Sequence, residues 1–216
     1  MKTKIISTII AFGLSINAAI AGNSASVGYA SDYFYRGSQK AEESIQTSVR
    51  LGHSLGGLSA SLHACSNQAV STGNDSYHMG AGLGKSFADE LLSAYVGINH
   101  FEDVPGNALS EVEVRLSLGV ALSPSVSVYR DLDDSLYTID VGVSHVFATE
   151  IADLTVGASA GNTEISSASD RDYYSVGIGE SKSLSESAGI DLSVDYIDAD
   201  DIDDEFVLGA ALTFQF

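Results

Sequence analysis

Three arginines carry the most demanding chemistry in this chain. Arg36, Arg50 and Arg115 each stand in a run where apolar and polar residues alternate, and each falls on the polar side. A guanidinium keeps its charge at any physiological pH and has to meet a carboxylate or water. Asp32, Glu113, Asp140, Asp191 and Asp195 share that polar parity, as do His63 and Tyr95. Two uses follow. Opposed charges along a wet path would give a channel its selectivity, whereas internal ion pairs would hold the structure shut. Residue identity leaves both standing.

Other chemistry is thinner. The stretch "HACSNQ" brings His63, Ser66 and Asn67 together, but a triad is a geometry rather than a neighbourhood in sequence. His63 and Ser66 also differ in parity, so on one strand they would face opposite sides. We expect no enzymatic activity. The run "DADDIDDE" has neither the glycine nor the ligand spacing of a calcium loop and reads as a solvated acidic link. His53, His100 and His145 lack metal-ligand spacing, so no metal and no cofactor is expected. A single Cys65 rules out an internal disulfide framework.

The elements that must position these groups have a period of two. In "SEVEVRLSLGVAL", Val112, Val114, Leu116, Leu118, Val120 and Leu122 share one face, and Glu111, Glu113 and Arg115 begin the other. The same alternation predicts strands at about 24–37, 43–54, 58–67, 77–87, 91–101, 110–122, 126–131, 136–147, 153–163, 172–183, 187–198 and 205–216. The links predicted after even-numbered strands are short, as in "LGG" and "ADE". Those after odd-numbered strands are mostly longer and polar, as in "AVSTGNDS" and "DADDIDDE". An all-β meander of about twelve strands, with short periplasmic turns and longer acidic extracellular loops, is the pattern of a closed antiparallel transmembrane β-barrel.

Aromatic spacing separates this from a soluble sandwich. Tyr77 and Phe87, Tyr137 and Phe147, and Phe206 and Phe216 share the apolar parity, ten residues apart along one strand. At about 3.3 Å per residue and a tilt near 40°, that is roughly 25 Å along the barrel axis, the height of a lipid-facing band. With Tyr33, Tyr35, Tyr174, Tyr196 and Phe214, these residues are expected to form two aromatic girdles. The opposite parity, holding Asp32, Arg36, Arg50, His63, Tyr95, Glu113, Arg115, Asp140, Asp191 and Asp195, is expected to line a polar lumen.

The address agrees. "MKTKIISTIIAFGLSINAAIAG" places Lys2 and Lys4 before an apolar run and ends it with Ala19-Ile20-Ala21, so residues 1–21 are expected to be a cleaved signal peptide and 22–216 the barrel domain. With 29 acids against 10 bases the chain repels nucleic acid. The expected location is a bacterial outer membrane, with lipid and lipopolysaccharide as partners. Small solutes would pass by diffusion through the lumen. A non-conducting barrel with a structural or adhesive role through its acidic loops is the other reading.

"ASDYFYRGSQK" resembles the S-D-Y-x-x-R-G segment of the TorF-like porin family, matching at Ser31, Asp32, Tyr33, Arg36 and Gly37. The resemblance implies an exported outer-membrane barrel with a transport role. It is best through "SIQTSVRLGHSLGGLSASLHACSN", and an aromatic-proline run expected near mid-chain is replaced by "VYRDLDDSLY". The terminal Phe216 with its alternating stripe also resembles the signal read by the barrel assembly machinery.

Overall fold

The computed structural model describes residues 23–106, 108–200 and 202–216; the expected signal peptide lies outside them. Twelve strands follow in order: β1 (Ser24–Tyr35), β2 (Ser38–Leu55), β3 (Leu58–Gly73), β4 (Asp75–Phe87), β5 (Leu92–Val104), β6 (Ala108–Leu118), β7 (Ser125–Asp131), β8 (Tyr137–Ala148), β9 (Asp153–Ser166), β10 (Ser169–Ser183), β11 (Ala188–Ala199) and β12 (Ile202–Gln215). Each pairs antiparallel with its chain neighbours, and β1 pairs with β12 to close the barrel. Closure runs from Ser24 opposite Gln215 to Ala30 opposite Gly209. Phe216 N–H adds a bond to the Asn23 carbonyl at 3.1 Å. A closed ladder satisfies backbone groups without water, the condition for crossing a bilayer with strands.

The period of two places the faces. Along β8, Tyr137, Ile139, Val141, Val143 and Phe147 are exposed while Thr138 and Ser144 are buried. Along β12, Phe206, Leu208, Leu212 and Phe214 are exposed, as is Phe216 just beyond its end. Each large apolar side chain left in water forgoes about 1.5–3 kcal/mol, so a surface covered in them requires a hydrocarbon solvent. The interior is mostly polar, with Gln46, Asn67, Asn99, Glu111, Glu113, Arg115, Asp191 and Asp195 all buried.

The expected contrast between links is not found. At the rim carrying the chain ends, the turns are Gly56-Gly57 and four- to six-residue links such as Gly119 to Pro124. At the opposite rim, the polar runs expected as loops extend the strands: β2 starts at Ser38 and β3 runs to Gly73, leaving only Asn74 before β4. Backbone pairing does not need apolar side chains, so these polar extensions stay in the ladder although alternation is faint there.

Candidate functional site

The lumen is built from the inward positions of all twelve strands, and its middle holds a chain of charge pairs. On β6, the Glu113 carboxylate pairs with the neighbouring Arg115 guanidinium and accepts from Asn99 Nδ2 of β5 at 3.1 Å. Arg115 Nε donates to Ser127 Oγ of β7 at 2.9 Å. One step higher, Arg36 Nη2 meets Glu111 Oε1 at 2.5 Å, and Nη1 reaches Thr138 Oγ1 at 3.4 Å. The Arg36 guanidinium also lies 4.2 Å from the Tyr129 ring centre, a cation–π contact. Two of the three expected arginines are thus neutralised inside.

Arg50 differs. It is half-buried on β2, level with Ser24 and His63, and has no carboxylate within ion-pair distance among the described residues. His63 on β3 lies 4.9 Å from the His78 ring of β4, edge to face.

The acids of β8 and β11 form no ion pair with the arginines among the described residues. Asp140 accepts from the Tyr173 hydroxyl. Asp191 accepts from Ser181 Oγ and Thr213 Oγ1, each at 2.6 Å. Asp195 is buried, and its Oδ2 has no hydrogen-bond partner among the described residues. A cavity of about 20 Å³, lined by Gln46, Asp191, Ser193 and Gly209 among others, lies along this wall. It has room for one water.

Missing side chains make room for the rings that fill the lumen. A Cβ on Gly82 would stand 2.2 Å from the Tyr95 hydroxyl, and one on Gly97 would stand 2.6 Å from it. Tyr95 therefore lies flat over two glycines, with the Arg115 guanidinium 5.9 Å from its ring centre. Gly82→Val is expected to destabilise the barrel by about 1–3 kcal/mol through overpacking, measured by urea unfolding in detergent, and Tyr95→Ala in the same chain should restore most of it. An unchanged midpoint in the single variant would show that the ring does not need this seat.

Three expected positions require correction. Tyr33 and Tyr35 are not on the lipid face: Tyr35 stacks on the buried Phe101 at 4.5 Å, and the Tyr33 phenol interacts with Ser76 and Asn67, both inward residues. Asp32 does not join the lumen charges; it pairs in register with exposed Glu42 and accepts from exposed Gln39 at 3.0 Å. The cause is backbone irregularity. Register shifts fall between Tyr33 and Phe34 and between Glu42 and Ser44, and Glu43 has φ of +50°. The bulges lie on β2, at Lys40 and Glu43, and bend the end of the hairpin inward, so that both faces of β1 beyond Ala30 meet interior groups.

Tyr77, Phe87, Tyr137, Phe147, Tyr174, Phe206, Phe214 and Phe216 are exposed on the outer wall, and Tyr196 packs between Tyr174 at 6.2 Å and Phe206 at 5.3 Å. Tyr29 is a further outward ring the spacing did not single out. Phe34, Phe101 and Tyr173 are inward aromatics also passed over. Parity with Asn99 and with Ser175 could have found the last two. His63 faces inward, whereas Ser66 pairs with outward Tyr77, so "HACSNQ" forms no triad.

No family model matches the chain and no curated protein matches it. Solved structures do, and they place the fold among outer-membrane porin barrels. The KdgM porin in complex with disordered oligogalacturonate superposes with a TM-score of 0.63 at 11% identity, over 89% of this chain and 99% of that one. The NanC porin gives 0.59 at 10% identity, over 90% and 100%. The COG4313 outer membrane channel from Pseudomonas putida F1 gives 0.57 at 13% identity, over 92% and 97%. At such identities the likeness is one of fold.

Proposed function

We propose that the protein is an outer-membrane channel through which small polar solutes diffuse, with Arg50 setting charge preference. One observation carries this: a closed barrel, apolar outside, encloses a lumen whose lining is polar and charged on nearly every strand. A barrel needing only to be filled would be better packed with apolar side chains, since buried ion pairs add little stability over hydrophobic replacements. Arg36 and Arg115 are paired with carboxylates; Arg50 is left to act on a passing solute. Porins solved with the same fold, one with a uronate oligomer, support a transport role. Phe216 and its stripe would serve recognition by the barrel assembly machinery, and lipopolysaccharide would contact the acidic rim.

Arg50→Ala is expected to lower the ratio of anion to cation permeation by roughly three- to tenfold, since a single fixed charge in a narrow pore dominates the local field. Liposome swelling with neutral, anionic and cationic solutes, beside reversal potentials in planar bilayers, reads this. An unchanged ratio would remove Arg50 from selectivity.

The non-conducting reading has an observation of its own. Glu111 is 2% exposed and Asn99 and Glu113 are 4% exposed, so the lumen is filled at mid-height in this structure. A barrel silent in bilayers under every condition would favour it.

A further inference from the structure

The far end of the β1–β2 hairpin, residues 31–40, lies inside the barrel, whereas the rest of both strands forms its wall. Above Ala30, β1 leaves β12: the ladder stops at Gly209, and Leu208 N–H donates to the Ser31 side chain at 3.0 Å. From there the ribbon crosses the mouth. One side of it buries Phe34 against Ile197 and Val207. The other side stacks Tyr35 on Phe101 and sets Tyr33 beside Cys65, Asn67 and Ser76. At the tip, Arg36 reaches Glu111 of β6, and Gly37 touches Tyr173 and Ala199 so closely that a Cβ would stand 2.8 and 2.9 Å from theirs. Lys40 adds an ion pair to Asp103 at 3.1 Å.

Two further facts mark this as an alternative arrangement of a wall strand. Every buried apolar side chain among the described residues, Ala30, Phe34, Ala41, Phe101, Ile197, Ala199 and Val207, belongs to the rim the hairpin fills. Among the described residues, the edge of β12 from Ile202 to Leu208 has no strand partner on its β1 side. Continuing the β1–β12 register would set Tyr33 opposite Phe206 and Tyr35 opposite Asp204. Tyr33 would then face lipid beside an outward ring, as the sequence alternation predicts. The same segment thus has two homes, one suited to its side chains in the lumen and one to its backbone in the wall. Bulges at Lys40 and Glu43 supply the hinge.

We propose that the β1–β2 hairpin is an internal gate, latched closed by Arg36–Glu111 and Lys40–Asp103, which opens by zipping residues 31–35 of β1 onto the free edge of β12. This rests on the channel reading, and the test keeps the two apart. In the full mature chain in liposomes, Arg36→Ser/Glu111→Gln removes the main latch without leaving a lone charge, with Arg36→Lys as the conservative control. Cys65, the only cysteine of the chain, reports access through its reaction with a membrane-impermeant maleimide. A second variant, Tyr33→Cys/Phe206→Cys with Cys65→Ser, can form a disulfide only if the hairpin reaches the wall.

The latch variant should label Cys65 at least about tenfold faster than wild type and conduct correspondingly more often, Arg36→Lys should stay near wild type, and the cysteine pair should bridge and hold the pore open until reduced. Labelling at the wild-type rate together with no bridging overturns the gate. A wild type that already conducts fully and labels as fast as the variant overturns it too, while leaving the channel standing. Faster labelling and bridging with bilayers still silent keeps the moving hairpin and removes transport.

Discussion

Glu113→Ala is expected to destabilise the barrel by about 3–5 kcal/mol, the largest loss of any single lumen substitution considered. The pair it breaks is nearly enclosed, with the Arg115 and Glu113 side chains 9% and 5% exposed. Removing the carboxylate leaves a guanidinium in a low-dielectric interior without its counter-charge, and deprives Asn99 of an acceptor. Arg115 keeps Ser127 and Tyr129 among its partners, and neither supplies a carboxylate's charge. Deleting both partners should hurt far less: Glu113→Ala/Arg115→Met swaps an ion pair for apolar contacts and is expected to recover most of the loss. Urea unfolding in lipid vesicles, followed by tyrosine fluorescence and by gel mobility of unboiled samples, measures both. A single variant costing under about 1 kcal/mol, within the range of an exposed pair, would mean that water fills the lumen at this depth.

Val141→Arg tests the outer face, with an expected cost of about 2–4 kcal/mol for a charge at the bilayer midplane. Val141 is 50% exposed and lies midway along β8 between Tyr137 and Phe147, the outward rings near the two rims. Its side chain has hydrocarbon around it and no carboxylate to meet. The depth dependence is the sharper part of the expectation. Glu150→Arg, in the exposed turn beyond β8, should cost close to nothing, and the naturally outward Lys85, whose Nζ sits 5.2 Å from the Phe87 ring centre near the same rim, shows how a cation is accommodated there by reaching toward headgroups. Equal small effects at both depths, or a mature chain that stays monomeric without detergent, would mean that something other than lipid covers this face.

The two substitutions probe the two sides of one wall, and their contrast follows from the period of two. Residues i and i+2 share a solvent in a strand; Val141 answers to lipid, and Asp140 beside it answers to Tyr173, which reaches over Gly161 of the intervening strand β9. The gate adds a segment whose two sides are both interior.

Features that depend only on a residue's neighbours along the chain are legible in the sequence. Alternation in runs such as Val112 to Leu118 or Phe206 to Phe216 sets which side chains share a face, because the pleat repeats every two residues whatever the strand lies beside. From that came twelve strands, an apolar outer wall, a polar interior and the exposed rings spaced along β4, β8 and β12. Features that depend on distant parts of the chain emerge only in the closed barrel. Arg36 meets Glu111 across 75 positions, and no local pattern selects Glu111 over Asp140 or Asp191 as its partner. Tyr33, Tyr35 and Asp32 depart from the alternation's prediction because the bend that carries them inward leaves no periodic mark, and because the apolar rim formed by Phe101, Ile197 and Val207 exists only once strands far apart in sequence have closed around it.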